Sequence, residues 1–131
     1  MVNVSRLVGT KFVDGGRVIS EGVDCWGLVM EVFRLNGIKL PDYTVDAFAF
    51  ALIDKLAHEA MGFAVWEKVN YPQDEDAPLV VLMRMHPIFI THAGVYIGNN
   101  RIIHTMKGTD AIISKASSLK THIVGYYRCL E

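Results

Sequence analysis

The sequence predicts an α+β fold in which N-terminal helices pack on one side of a central antiparallel sheet. Three observations support this prediction. Apolar residues recur at helical spacing in two segments of the first half, strand-length apolar runs follow in the second half, and a Gly-Asn-Asn turn joins two of these runs. Helices that come first, followed by a meander of strands, are typical of this fold class.

The first predicted helix runs from Cys25 to Asn36. Asp24 precedes it as an N-cap, and Asn36-Gly37 supplies a C-terminal stop. Apolar side chains occupy nearly all faces of the segment, and only Glu31 and Arg34 interrupt them. A helix that is apolar on nearly every side is buried, so this helix is predicted to lie at the centre of the domain.

The rest of the chain is predicted to add one more helix and several strands. The second helix covers about Asp46 to Met61, where apolar residues repeat at helical spacing. The polar, proline-bounded stretch from Tyr71 to Pro78 predicts a surface loop. Strands are then predicted at Leu79–Met85, Ile90–Ile97, Arg101–Thr105, Ile112-Ile113 and Ile123–Tyr127. The chain has no internal repeat and no low-complexity linker, so residues 1–131 are predicted to form a single domain.

The composition argues against two classes of function. Lys and Arg total 13 against 14 Asp and Glu, which leaves no basic field for binding nucleic acid. No apolar run in the sequence reaches the roughly 18 residues of a membrane span. The N-terminus lacks the apolar core and cleavage site of a signal peptide, so we expect synthesis in the cytoplasm and another route of delivery for any work outside it.

The two cysteines, Cys25 and Cys129, lie far apart in the sequence. They make no disulfide framework, although a single bridge between them stays open. Cys25 begins the buried helix, where unpaired backbone N–H groups and the helix dipole favour negative charge. Such positions stabilise a thiolate with a pKa of roughly 3.5–7.5, whereas most lone cysteines are small core residues. The helix position alone does not choose between these two interpretations.

Two histidines lie in the arms of one predicted hairpin, His92 and His104, 12 positions apart. Side chains alternate faces along a strand, so the number of loop residues decides whether the two rings can meet. With a two-residue Asn99-Asn100 loop they would point to opposite faces. With a three-residue loop, Gly98–Asn100, Gly94 faces His104 and His92 lies on the diagonal, within reach. We predict the three-residue loop, because glycine and asparagine tolerate the left-handed conformation that such loops use.

These residues form a candidate Cys–His–His catalytic set. Cys25 would attack a carbonyl carbon as thiolate, His92 would take and return the proton, and His104 would orient the ring of His92. Backbone N–H groups at the helix start would stabilise the oxyanion, and no cofactor is predicted. A zinc site on the same three side chains is an alternative, although no carboxylate ligand is evident near them. The remaining histidines are interpreted as structural: His58, His86 and His122.

Two blocks of the sequence resemble the NlpC/P60 family of papain-like cysteine peptidases, GVDCWGLVMEVFR (Gly22–Arg34) and THAGVYIGNNRIIHT (Thr91–Thr105). That family has an Asp-Cys-Ser-Gly helix start, then a strand with a histidine, then a second histidine on the next strand. The resemblance covers about Phe12 to Tyr127 and implies a papain-like fold. The stretches FVDGGR and LNGIKLPDY also resemble the branch of the family found among phage and prophage tail genes.

The resemblance assigns roles to particular residues. It makes Cys25 the nucleophile, His92 the base and His104 the third member of the set. Asp24 matches a residue that, in cell-wall-recycling members, helps to hold the amine of a short stem peptide, so it is a predicted substrate-binding residue. Trp26 is the second predicted substrate-binding residue, and it stands where the family has Ser. The indole points either into the core or across the cleft, and the hydroxyl that would help to bind the amine is missing.

The resemblance implies a cysteine peptidase that cleaves amide bonds in bacterial cell-wall stem peptides, typically between D-glutamate and a diamino acid, with no metal or cofactor. The implied partners are peptidoglycan stem peptides and, through the tail branch, phage tail proteins. The implied place of action is a virion tail, the periplasm or the cell wall. Two alternatives stay open: a catalytically inactive structural or assembly module of a phage tail, and an acyltransferase or amidase of the same superfamily.

Overall fold

The computed structural model describes residues 1–43, 66–84 and 92–130. Within these ranges the chain forms one α-helix and eight strands, together with short 3-10 turns. In chain order they are β1 (Arg17–Val18), β2 (Gly22–Val23), α1 (Cys25–Leu35), β3 (Trp66–Val69), β4 (Leu79–Met83), β5 (His92–Gly98), β6 (Arg101–Met106), β7 (Thr109–Lys115) and β8 (Ile123–Cys129). None of the helices in these ranges is long and apolar enough to cross a membrane.

Helix α1 forms where the sequence predicted it. The Asp24 side chain accepts a hydrogen bond from the backbone N–H of Gly27, 2.8 Å away, and so caps the first turn. At the other end the chain leaves the helix through Gly37, whose φ of 81° is left-handed. The second predicted helix, about Asp46 to Met61, lies outside the described residues. The prediction of several N-terminal helices is therefore not borne out, because the described ranges contain one.

The main sheet has six strands within the described ranges, in the order β3-β8-β4-β5-β6-β7, and its neighbours pair antiparallel. Strands β4 to β7 form the predicted meander. Strand β8 follows β7 in the chain but does not pair with it. It lies between β3 and β4, on the other side of the meander. The sequence did not predict β3, a four-residue strand at the sheet edge with Glu67 and Lys68 exposed at its centre. Nor did it predict β1 and β2, whose two residues each are too short for any periodicity.

The turn between β5 and β6 differs from the predicted loop. It has two residues, Asn99 and Asn100, with φ values of 52° and 59°. The predicted three-residue loop, Gly98–Asn100, is therefore wrong. Both turn residues are asparagines in the left-handed conformation, which asparagine tolerates better than most residues. In an unbroken ladder, such a turn would place His92 and His104 on opposite faces.

A β-bulge in β5 reverses that outcome. The register shifts between Tyr96, which pairs with Ile102, and Gly98, which pairs with Arg101, so Ile97 is an extra residue in β5. One extra residue moves every side chain before it to the other face. Beyond the bulge, Gly94 pairs with His104, as the sequence predicted.

Apolar side chains cover both faces of the sheet. On one face the residues of α1 pack against a layer that includes Val80, Leu82, Ala93, Val95 and Ile103. On the other face a smaller cluster contains Leu79, Val81, Met83, Tyr96 and Ile102. Strand β4 contributes to both layers, which explains why its sequence is a continuous apolar run and does not alternate.

Trp26 belongs to the core under α1. Its side chain is 0% exposed, and its indole N–H donates a hydrogen bond to the carbonyl oxygen of Pro41 over 3.0 Å. The ring also lies near that of Tyr43, with 5.9 Å between centroids. Of the two orientations that the sequence left open, the structure has the core one. The indole ties the segment after the helix to the first helical turn.

Gly27, in the first turn of α1, lies against the segment before β1. A Cβ atom on Gly27 would be 2.5 Å from the carbonyl oxygen of Gly16, which is a backbone atom and has little freedom to move. The helix start is therefore packed against Gly16 at a distance that only glycine allows.

We predict that Gly27→Ala destabilises the protein by about 1–3 kcal/mol, the usual effect of overpacking. Helix propensity alone favours alanine over glycine by about 1 kcal/mol, so the sign of the change reports the contact. Urea denaturation measures the free energy of unfolding. Arg34→Ala, at an exposed position of the same helix, is the control and should change this free energy by less than about 1 kcal/mol. A Gly27→Ala variant as stable as the wild type would contradict the close contact.

Candidate active site

Cys25 is the first residue of α1, directly after the Asp24 cap. The backbone N–H groups of Ala93, Trp26 and Cys25 itself lie near its sulfur and act to lower the pKa of the thiol. Ala93 follows His92 in the chain, so the sulfur lies beside the peptide bond between these two residues. Cys25 and Cys129 are not joined by a disulfide. The helix and strand β5 thus bring the predicted nucleophile and the predicted base to the same place.

His92 and His104 form a buried pair. Nε2 of His92 and Nδ1 of His104 are 2.9 Å apart, and the two side chains are only 3% and 4% exposed. Gly94 provides the space, because a Cβ atom there would lie 2.9 Å from Cβ of His104. The prediction that the two rings share a face is confirmed, although the bulge and not the loop length produces it.

The Cys25 sulfur lies beside the backbone where strand β5 begins. Strand β5 begins at His92, and its pairing with β6 ends at Gly94 and His104. Along β5, His92 and Gly94 point to the side opposite Ala93 and Val95, which pack in the layer with α1. The start of α1 therefore adjoins β5 at the backbone of His92, while the rings of His92 and His104 project toward the other face.

Burial governs the charge state of the site. It raises the pKa of the Cys25 thiol to about 11, because desolvation outweighs the three N–H donors. It also lowers the pKa of His92 to about 4, with a smaller contribution from neighbouring His104, whose own pKa is lowered by burial. At pH 7 the thiol and both imidazoles are therefore neutral, unlike the thiolate that a cysteine at a helix start can form. Neutral imidazole is the form that a general base requires.

Asp24 is tied to Arg17. Beyond capping Gly27, its Oδ1 accepts a hydrogen bond from Nη1 of Arg17 over 2.5 Å. Arg17 also bonds to the Asp42 carboxylate over 2.7 Å and to the carbonyl oxygens of Gly16 and Tyr43. An amine that approached Oδ1 of Asp24 would have to compete with this guanidinium. Sequence reasoning missed Arg17, because it lies in β1, a two-residue strand that is too short for any periodicity.

Ser114 is the second residue that sequence reasoning missed. Its Oγ lies 2.9 Å from Nε2 of His104, so it continues the contact from His92 through His104. The sequence predicted only Ile112-Ile113 as a strand in this region. A serine after a short apolar run does not reveal its partner in the sequence. The contact with His104 forms only because β7 pairs with β6.

The zinc alternative finds no support in this geometry. Two of the four imidazole nitrogens of His92 and His104 face each other, and a third faces Ser114. Within the described ranges, no three His, Cys, Asp or Glu side chains are arranged so that they could hold a metal ion together.

A profile of the NlpC/P60 family matches residues 9–128 and so contains all five predicted site residues. The chain belongs to the NlpC/P60 family. The papain-like family implied by the two sequence blocks is thereby confirmed.

Two curated proteins are similar to this NlpC/P60 chain. A gamma-DL-glutamyl hydrolase of Bacillus subtilis is 32% identical over 113 residues, which are 86% of this chain and 24% of that protein. The tail tip assembly protein K of Escherichia phage N15 is 33% identical over 92 residues, which are 65% of this chain and 35% of that protein. The chain thus spans about a quarter to a third of the length of these relatives.

Solved NlpC/P60 structures share the fold. The NlpC/p60 domain of the peptidoglycan hydrolase SagA aligns over 92% of this chain and 88% of that one, with a TM-score of 0.59 and 20% identity. NlpC2 from Trichomonas vaginalis aligns over 96% of this chain and 44% of that one, with a TM-score of 0.66 and 18% identity. A lipoprotein-like NLP/P60 protein of Staphylococcus aureus has a TM-score of 0.59 and 20% identity over 96% of this chain and 38% of that one.

We predict that the buried histidines make stability depend on pH. Because the folded-state pKa of His92 is about 4 and an unfolded histidine titrates near about 6.5, the unfolded chain binds more protons between these values. The free energy of unfolding should therefore fall as the pH is lowered from about 6.5 to 4, and urea denaturation across this range measures it. His92→Gln should flatten the slope, while His122→Gln, at an exposed position, controls for loss of a histidine. Equal slopes in the wild type and His92→Gln would contradict the prediction.

Proposed function

We propose that this chain is a cysteine peptidase that cleaves amide bonds in the stem peptides of bacterial cell walls. In this proposal Cys25 is the nucleophile, His92 is the general base and His104 orients His92. One observation carries the proposal: the Cys25 sulfur, at the start of α1, lies beside the backbone of His92, whose ring is hydrogen-bonded to His104. A core cysteine would need neither of these neighbours.

The proposed reaction starts from neutral groups. His92 takes the proton from Cys25 as the sulfur attacks the carbonyl carbon of the scissile amide, and the carbonyl oxygen becomes an oxyanion. Backbone N–H groups at the start of α1 are the donors available to that oxyanion. When the tetrahedral intermediate collapses, the C–N bond breaks and His92 returns the proton to the leaving amine. A water molecule, activated by His92, then hydrolyses the thioester and restores the thiol.

The bond and the place of action belong to the same proposal. The name of the Bacillus subtilis relative supports a link formed by a glutamyl residue, so we propose the bond between D-glutamate and a diamino acid. Similarity to the tail tip assembly protein of phage N15 supports action in association with a phage or prophage tail, at the cell wall. Tail proteins are then partners of the chain, in addition to stem peptides.

The same similarity favours a second candidate, a tail assembly module without catalysis. In that case the thiol and the histidine pair would have no catalytic role, and the chain would bind tail components without cutting peptides. The experiment below separates the two candidates.

The first test of the proposal is hydrolysis of purified disaccharide-linked stem peptides, with products identified by mass spectrometry. The wild type should release fragments cut at one amide bond, and Cys25→Ala should reduce the rate at least 1,000-fold, because the nucleophile is absent. Cys25→Ala removes one sulfur at an element terminus, so its thermal unfolding should match the wild type. Cleavage by Cys25→Ala at a rate near that of the wild type would contradict the cysteine-peptidase proposal. A wild type without any cleavage would favour the assembly module.

The second test concerns the form of the substrate. Trp26 replaces the family's small hydroxyl residue and is buried, and Arg17 engages the Asp24 carboxylate. The Trp26 indole lies in the core, and an amine at Oδ1 of Asp24 would compete with Arg17, so we predict that stems attached to glycan are cut at least as well as unattached stems. The measurement is kcat/KM on disaccharide-linked stems and on tripeptide and tetrapeptide stems. A tenfold preference for the unattached stems, about 1.4 kcal/mol of transition-state binding, would show that inference to be wrong.

A further inference from the structure

A line of hydrogen-bonding contacts leads from the candidate base to strand β7. It runs from Nε2 of His92 to Nδ1 of His104 over 2.9 Å, and from Nε2 of His104 to Oγ of Ser114 over another 2.9 Å. In the β6–β7 register, His104 pairs with Ile112 and Ile102 pairs with Ser114. Ser114 is therefore diagonal to His104 on the same face of the sheet, which is the arrangement that brings side chains into contact.

The protonation of these rings follows from the contacts. A neutral imidazole carries one N–H and one bare nitrogen, so each ring must donate through one nitrogen and accept through the other. If Ser114 accepts from Nε2–H of His104, then Nδ1 of His104 is bare and accepts from Nε2–H of His92. Nδ1 of His92 is then bare and can take the proton of Cys25. If Ser114 donates instead, both rings switch, and Nδ1 of His92 already carries a hydrogen.

The surroundings of Ser114 allow the accepting role. Its side chain is half-buried, while His104 is only 4% exposed. The hydroxyl hydrogen of Ser114 can therefore point to solvent while a lone pair accepts from Nε2–H of His104. The proposed role of His92 requires this arrangement, because only then is Nδ1 of His92 bare. When the proton of Cys25 moves to Nδ1 of His92, the new imidazolium donates to His104, which in turn donates more strongly to Ser114. All protons other than that of Cys25 stay on their atoms, and the positive charge is stabilised along the line.

We propose that Ser114 is a positioning residue that sets the tautomers of His104 and His92 and so keeps Nδ1 of His92 bare. The proposal rests on the proposed function, because it assigns His92 the role of base. The proposed catalytic unit then has four members, and their order in space is Cys25, His92, His104 and Ser114. Ser114 touches neither the substrate nor the thiol in this scheme and acts through His104.

The test uses a pair of variants with side chains of nearly equal shape, Ser114→Thr and Ser114→Val. Both residues suit a β-strand, and only threonine keeps the hydroxyl. Ser114→Thr should keep kcat within about threefold of the wild type. Ser114→Val should lower kcat about 10- to 100-fold with KM unchanged, the expected loss of a hydrogen bond to a group that becomes charged. Equal kcat values for the two variants would overturn the proposal, and Ser114→Ala repeats the test should Ser114→Val fail to fold.

A spectroscopic measurement tests the same proposal without turnover. Side-chain nitrogen NMR of histidine-labelled protein at pH 7 reports which nitrogen of each ring carries the hydrogen. The wild type and Ser114→Thr should show protonated Nε2 and bare Nδ1 in both His92 and His104, and Ser114→Val should show mixed tautomers. The opposite tautomers in the wild type, or unchanged tautomers in Ser114→Val, would overturn the role of Ser114. A wild type with the expected tautomers but no hydrolysis would count against the proposed function alone.

Discussion

The one-residue bulge at Ile97 is the constraint on which the histidine pair depends. The Asn99-Asn100 turn closes β5 and β6 with two residues, and side chains alternate faces with a period of two. Without an extra residue in one strand, His92 and His104 would lie on opposite faces. With it, Nε2 of His92 and Nδ1 of His104 are 2.9 Å apart, and Gly94 leaves room for the side chain of His104. Bulges commonly re-aim a side chain next to an active site, and here the bulge aligns all of β5 before it.

Burial sets the chemistry of the pair and of the thiol beside it. The N-terminus of a helix favours a thiolate, and three backbone N–H groups do lie near the Cys25 sulfur. Removal from water nevertheless has the larger effect, and it keeps both thiol and imidazoles neutral at pH 7. In the proposed reaction a proton therefore moves from thiol to imidazole during attack, and no charge-separated pair is held beforehand. A line of neutral hydrogen-bonding groups from His92 to Ser114 suits this proton transfer.

The helix start is held by ionic and aromatic contacts to the segment that follows α1. Arg17 joins the Asp24 cap to Asp42, and the buried indole of Trp26 bonds to the backbone of Pro41. These contacts fix the first turn of α1, and with it the position of the Cys25 sulfur. They also engage Oδ1 of Asp24, the carboxylate next to the nucleophile of the proposed reaction.

The amino-acid sequence alone was enough to predict the elements that depend on neighbouring residues. Helix α1 has a capping aspartate and an apolar surface on nearly every side, and β4, β5 and β6 contain apolar runs of strand length, so these elements were predictable within a few residues. Cys25, His92 and His104 could be named as candidates because they fall at a helix start and in the two arms of one hairpin, and their catalytic roles stay a proposal.

Other features depend on pairing between distant segments, and these only the tertiary structure decided. The bulge at Ile97, the insertion of β8 between β3 and β4, and the contacts of Arg17 and Ser114 leave no mark in composition or periodicity. The neutral state of Cys25 was equally out of reach, because a pKa responds to how much water the fold removes from around the group. Local propensities act over a few neighbouring residues, whereas register and burial are set when the whole sheet and its helix pack together.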